Sequence, residues 1–280
     1  MTVLGTTPKW GGDDSGDAMT TGEAVRLLQV DPELGRLLSP ERRQEATAAL
    51  AVRTQRLPVG EWDVRPFGGD VHNVGLLLLE GVISREVVVA DNVSTELLGP
   101  GDLLRPWQPG ADTTLLRSEV RWTVLGPTRV ALLDRRFAMQ VSRYPEVTCV
   151  LFDRLTERSM RLAINQAISQ LTRVDRRLLA VFWHLAERWG RVGSDGVVVP
   201  LALSHRILGQ LVGARRPTVS SAISELVRRG ELVRRDDGSW LLTGEPALDP
   251  VPEATAAVQL RRTLTISGRK RGPSRDEIPA

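Results

Sequence analysis

The sequence predicts an α+β fold, with strands gathered into an N-terminal barrel and helices gathered behind it. Three observations carry this. Between about residues 57 and 133, short apolar runs at 74–79, 87–89 and 130–133 are punctuated by Gly68-Gly69, Gly99-Pro100-Gly101, Pro109-Gly110 and Gly126-Pro127. No helix-length periodic segment intervenes, so the runs suit a sandwich or barrel and not βαβ units. After Tyr144-Pro145 the apolar period becomes helical and stays so to about Gln170. Beyond Gly190 come a short strand, two short helices around a glycine, and a last pair of strands.

Composition bounds what the chain can do. Its 280 residues are 41% hydrophobic and 25% charged, which suits one large domain or two smaller ones with tails. Uninterrupted apolar stretches such as 76–79 are far short of the roughly 20 residues of a membrane span. Residues 1–20 lack the basic start and apolar run of a secretory signal, so no membrane association is expected and the cytoplasm is the expected address. The single cysteine, Cys149, excludes an intrachain disulfide and is expected to be a small buried hydrophobe. The histidines, His72, His184 and His205, fall on different elements, so no metal site is expected. The net charge of +3 is unevenly placed: residues 204–240 hold seven arginines against four acids, whereas residues 1–40 hold three bases against six acids.

Each element has its own reason. Residues 1–20, rich in Gly, Asp and Thr, form an expected disordered tail. Residues 21–143 form the barrel domain, entered through two short helices at 23–28 and 40–50. The second is announced by a Ser39 cap, Pro40 in its first turn and Glu41 at its positive end. Residues 144–171 form a helix of about 39 Å at 1.5 Å per residue. Val147, Leu151, Leu155 and Leu162 mark one face, and Met160, Ile164, Ala167 and Leu171 follow a coiled-coil spacing. Two apolar faces need two partners, so the helix either packs wholly within its own chain or shares a face with a second subunit; the second reading makes Leu151, Leu155, Met160, Leu162, Ile164 and Ala167 dimerisation residues. Residues 172–244 open with an amphipathic helix carrying Val174, Leu178, Val181, Phe182, Leu185 and Trp189, stopped by Gly190. Residues 245–280, with Pro, Ala, Arg and Ser and no sustained period, form an expected basic, disordered tail.

The segment after Val197-Val198-Val199-Pro200 carries the function. Ser204 sits where an N-cap belongs, ahead of Ile207, Leu208, Leu211 and Val212, and Gly213 ends that helix. A new helix begins at Arg215-Arg216-Pro217. Val219, Ala222, Ile223, Leu226 and Val227 form its buried stripe, leaving Thr218, Ser220, Ser221, Ser224, Glu225 and Arg228 outward. Arg228-Arg229 suit its negative end, either as a merely solvated terminus or as cations for a partner, and Gly230 stops it. The stretch 231–242 then reads as two strands around Asp236-Asp237-Gly238-Ser239. Two helices at a glycine turn followed by a hairpin describe a winged helix-turn-helix. The B-DNA major groove, about 12 Å wide, admits one helix whose N-terminal side chains reach base edges.

At this point the chain resembles the CRP/FNR family of bacterial transcription regulators. The gapless stretch Leu203-Ser204-His205-Arg206-Ile207-Leu208-Gly209-Gln210-Leu211-Val212-Gly213-Ala214-Arg215-Arg216-Pro217-Thr218-Val219-Ser220 follows that family's motif, while Gly75-Leu76-Leu77-Leu78-Leu79-Glu80-Gly81 and Gly99-Pro100-Gly101-Asp102 resemble its effector barrel. The resemblance spans roughly residues 25–243. It implies a cyclic-nucleotide-binding-like jelly-roll barrel, a long dimerisation helix and a winged helix-turn-helix. It also implies double-stranded DNA, a second copy of the chain and RNA polymerase as partners. Arg216 matches the family's base-contacting arginine, with Ser220, Ser221 and Ser224 beside it on the reading face. Ser204 and Thr218 match phosphate-contacting hydroxyls, and Arg206, Arg215, Arg234 and Arg235 are expected at phosphates from charge and placement. The pattern departs from the family at Pro217, where an acid is common, and at Ser221, where a second arginine is common.

The cyclic-nucleotide signature is also missing. The expected Gly-Glu pair falls on Arg105-Pro106, and Glu119 follows Arg117-Ser118 where a small residue belongs, so no cyclic nucleotide or other cofactor is expected. Trp107 and Trp122 either fill the barrel core or line a pocket for another ligand. No nucleophile–base pair or phosphate-cradling glycine loop stands out, so an enzyme is not expected. The expected function is a homodimeric, sequence-specific DNA-binding transcription regulator. The alternative is a small-molecule-sensing signalling or scaffold protein whose winged helix binds a protein partner.

Overall fold

A computed structural model describes residues 22–65, 72–107 and 115–245. The expected tails at 1–20 and beyond 245, and the turn signals Gly68-Gly69 and Pro109-Gly110, lie outside the described residues.

The barrel is built from two antiparallel sheets. One orders its strands β1 (Ala24–Arg26), β2 (Ala51–Leu57), β9 (Thr128–Leu133), β4 (Gly75–Glu80) and β7 (Leu103–Leu104); the other orders β3 (Gly60–Glu61), β8 (Glu119–Val124), β5 (Ile83–Val89) and β6 (Asn92–Leu98). Leu57, Leu76 and Leu78 of the first sheet meet Ile83, Leu98, Trp122 and Val124 of the second in a shared core. Trp122 stands edge-on to Trp62, with ring centres 5.9 Å apart, and Trp107 packs against the same core. The other face of the first sheet, with Val52, Leu77, Ala131 and Leu133, is covered by helices, which explains an unbroken leucine run at 76–79 in place of alternation.

Those covering elements are α1 (Leu27–Val30), a 3-10 turn (Pro32–Gly35), α2 (Pro40–Ala49), α3 (Arg135–Val141) and the first turns of α4 (Pro145–Ser169). Ser39 caps α2 as expected, its Oγ accepting from Arg42 N–H at 3.3 Å. The helix expected at 23–28 is instead β1 followed by the single turn of α1. Pairing with β2, Val25 opposite Val52, supplies hydrogen bonds from a strand distant in sequence and overrides the local pattern.

The long helix α4 docks on the barrel differently from the expectation of two apolar faces. Val147, Val150 and Leu151 are buried at its start and Ile168 at its end. In between, arginines at helical spacing hold it: Arg154 on Asp31 (2.6 and 2.8 Å), Arg158 on Glu96 (2.7 and 2.9 Å) and Arg161 on Asp102 (2.5 Å). Glu96 also takes Arg85 at 2.9 Å. Cys149, expected to be buried, is exposed, because Val147, Val150 and Leu151 take the inward side of the same turns. Phe152 and Met160 are exposed too, at 63% and 61%.

The C-terminal domain comprises α5 (Val174–Trp189), β10 (Arg191–Gly193), β11 (Gly196–Val199), α6 (His205–Val212), α7 (Arg216–Arg228), β12 (Leu232–Arg234) and β13 (Trp240–Leu242). Its sheet runs β10-β11-β13-β12, so the expected hairpin is the outer half of a four-stranded sheet. Phe182 against Trp240, ring centres 5.0 Å apart, joins α5 to that sheet, and Leu208, Val219 and Leu226 complete the core. This domain is seated on the barrel at two places. Arg188 of α5 reaches Asp102 at 2.7 Å, while the Trp189 ring lies so close to Gly99 that an added Cβ would stand 2.9 Å from it. Leu97 of β6 joins the C-terminal core.

Candidate nucleic-acid interface

The two helices of the motif are set by local chemistry. Ser204 Oγ accepts from Ile207 N–H at 3.3 Å and so caps α6. Gly213 closes α6 in the left-handed region at φ 63°, a conformation other residues adopt only under strain, and Ala214 N–H returns to Gly209 O at 2.9 Å. The chain therefore turns sharply, and α7 starts at Arg216 with extended Arg215 as its N-cap.

Val219, Ala222, Ile223 and Leu226 are buried, as the stripe predicted, whereas Val227 is exposed at the edge of the stripe. Arg215, Arg216, Thr218, Ser221 and Ser224 are exposed and Ser220 half-buried. The first turn of α7 holds no acid, so its free N–H groups and the two arginines make one positive end that attracts anions. No carboxylate among the described residues pairs with Arg215, Arg216, Arg234 or Arg235. On the polar face of α7, Ser220, Ser221 and Ser224 donate to the carbonyls of Arg216, Pro217 and Ser220 at 3.1, 3.2 and 3.0 Å. With their protons committed inward, Ser221 and Ser224 present lone pairs outward, which suits the amino edges of cytosine or adenine, while the Ser220 hydroxyl is also engaged by His205.

The wing lies beside this face. Arg234 stacks on Trp240, its guanidinium carbon 5.5 Å from the ring centre, and both Arg234 and Arg235 are exposed. Arg228 and Arg229, by contrast, are structural. Arg228 grips Glu225, and Arg229 bridges Asp175 (3.0 Å) and Glu231 (2.8 Å), which raises its pKa further above the ordinary arginine range. The wing is thereby tied to α5 and α7.

Two residues enter that the sequence reading did not single out. His205 Nδ1 lies 2.9 Å from Ser220 Oγ and pins α6 to α7; its place inside the motif beside Arg206 was the available signal. Glu86, buried on β5, accepts from Arg206 at 3.2 Å. Nothing in the sequence marks that pair, since its members are 120 positions apart.

The expected dimerisation residues divide by environment. Leu151 is buried in the barrel core and Ile164 packs against the C-terminal core, so both serve their own chain. Leu155, Met160, Leu162 and Ala167 are exposed. Met160 and Ala167 share their side of α4 with Cys149, Phe152 and Ala163, a stripe at heptad-like spacing. In the barrel, Arg117 is exposed and Glu119 is held by Arg121 at 2.7 Å, lowering its pKa. No cluster of three or more His, Cys, Asp or Glu able to hold a metal occurs among the described residues. No helix among them is long and apolar enough to cross a membrane.

Comparison with known proteins agrees with this geometry. Residues 176–249 match the family model described as the Crp-like helix-turn-helix domain. The chain is 26% identical over 149 residues to the regulatory protein CysR of Synechococcus elongatus, covering 52% of this chain and 64% of that protein. It is 28% identical over 156 residues to the CRP-like cAMP-activated global transcriptional regulator of Mycobacterium tuberculosis, covering 54% and 66%. The match therefore spans just under two thirds of the length of either relative. Among solved structures, a CooA mutant from Carboxydothermus hydrogenoformans superposes with a TM-score of 0.56 at 17% identity, covering 80% of this chain and 94% of that one. A cyclic nucleotide-binding domain containing protein from Listeria monocytogenes gives 0.57 at 16% identity, covering 76% and 97%. These two likenesses concern the fold.

Proposed function

We infer that this CRP/FNR-type chain is a sequence-specific DNA-binding transcription regulator that works as a homodimer in the cytoplasm. The observation that carries the reading is the α7 N-terminus: Arg215 and Arg216 exposed without carboxylate partners among the described residues, beside a face of serine hydroxyls. In this reading Arg216 and the serines Ser220, Ser221 and Ser224 meet base edges, and Ser204, Arg206, Arg215, Thr218, Arg234 and Arg235 meet phosphates. The exposed stripe of α4 around Phe152 and Met160 pairs with its copy in a second chain, placing two reading helices at half-sites about one DNA turn apart. RNA polymerase is a further partner, and the chain is not an enzyme.

The barrel acts as a regulatory module without cyclic nucleotide. Arg105-Pro106 removes the backbone freedom and the ribose acceptor, and Arg117 is exposed at the surface. Selection of bound fragments from random duplex DNA, followed by a gel-shift titration against salt, tests the whole reading. Four phosphate-contacting arginines on each of two subunits predict a log–log salt slope of about −7. Absence of any selected duplex, or binding that ignores salt, refutes it.

A further inference from the structure

We propose that the helix-turn-helix is latched onto the outer face of the barrel through Arg206 and Glu86, and that this latch opens before the full DNA contact forms. The inference rests on the DNA-binding reading above and adds its regulation. Register places Ser84, Glu86, Thr95 and Leu97 on one face of the β5–β6 pair, Glu86 opposite Thr95 and Ser84 opposite Leu97. It is the face that α6 covers. Leu97 is part of the C-terminal core, and Glu86 Oε1 accepts from Arg206 Nη1 at 3.2 Å. The arginine best placed on α6 to meet a phosphate is thus already neutralised by a carboxylate of the barrel, and a phosphate reaching it would stand against that buried negative charge.

Two features mark the contact as releasable. Ser84 Oγ and Thr95 Oγ1 are buried on this face with no hydrogen-bond partner among the described residues. Each has given up water for nothing, which a permanent interface avoids and an opening one recovers. The anchoring carboxylates also keep arginines of the rest of the chain nearby. Asp102 keeps Arg161 of α4 when Arg188 leaves, and Glu86 stands directly across the sheet from Arg121, whose guanidinium is bonded to Glu119. Opening therefore leaves Asp102 paired and Glu86 in the field of a neighbouring arginine. If only the unlatched fraction binds fully, apparent affinity is reduced by that fraction, and weakening the latch raises it.

The test uses the full chain and a duplex selected by the wild-type protein. Glu86→Gln keeps shape and removes the charge, and Leu97→Thr weakens the apolar part of the seat without touching Arg206. Each is expected to bind about 2- to 5-fold more tightly than wild type, the upper part of the range for removing a partly exposed ion pair. In the unmodified chain, amide exchange in the edge strand β6 is expected to rise when duplex is added. Equal or weaker binding by both variants, with β6 exchange unchanged by duplex, overturns the latch while leaving the DNA-binding reading intact. No duplex complex for wild type or either variant overturns both.

Discussion

Replacing Asp102 with alanine tests how the barrel holds both α4 and the winged helix. Its carboxylate, 3% exposed, accepts from Gly99 N–H at 2.9 Å, Arg161 at 2.5 Å and Arg188 at 2.7 Å. The arginine side chains are 26% and 19% exposed, so after truncation both can turn partly to water, and each lost bond counts about 1 kcal/mol. The buried Gly99 N–H has no such escape and adds about 1–2 kcal/mol. The sum, about 3–4 kcal/mol, agrees with the usual cost of removing one partner from a buried ion pair. At about 2–4 °C per kcal/mol for a chain of this size, melting falls by roughly 10 °C. Thermal unfolding followed by tryptophan fluorescence is a direct assay, because Trp189 lies against Gly99 beside the substituted site. Asp102→Asn retains an acceptor for Gly99 and loses the charge, so it should fall about half as far. A change under 1 kcal/mol for alanine, or an equal loss for asparagine and alanine, refutes the clamp.

Further outcomes follow from other residues. Arg216→Ala should cost about 1–3 kcal/mol of discrimination at one base pair, whereas Arg215→Ala should weaken all sequences alike. Binding-site selection with each variant separates the two, and identical preference profiles would contradict the assignment. Phe152→Glu, on the exposed stripe of α4, should yield monomers by light scattering with unfolding unchanged; a persistent dimer moves the interface elsewhere. Acid should destabilise the chain. Burial pulls the Asp175 carboxyl upward, but bonds from Arg173 and Arg229 outweigh it and set its pKa below the ordinary 3.8, while Arg42 holds Glu146 below 4.5. The unfolded chain then binds protons first as pH falls, so the stabilisation is complete above about pH 5 and is lost progressively below about pH 4. A urea midpoint unchanged or raised on moving from about pH 5 to about pH 3.5 would contradict this.

Much of the fold was legible because its signals are local. Ser39 and Ser204 as caps, Gly213 as a left-handed stop, and the buried stripe from Val219 to Leu226 need only the neighbouring turn to act. The exposed serine face of α7 was legible for the same reason. What was hidden depends on partners far along the chain. β1 is a strand only because β2 receives it. α4 looked doubly apolar because leucines were counted; its middle is held instead by arginines reaching Asp31, Glu96 and Asp102, carboxylates whose burial no local pattern announces. Cys149 follows from that geometry, since arginines and early apolar turns take the inward faces and leave its own face outward. The pairing of Arg206 with Glu86 was hidden for the same reason.

Hydroxyl-radical footprinting of a selected duplex with the full chain addresses the central claim most directly. The account predicts two protected segments of equal depth on one face of the helix, centred about ten base pairs apart, both weakened by Arg216→Ala. A single protected segment, or protection indifferent to Arg216, would contradict it.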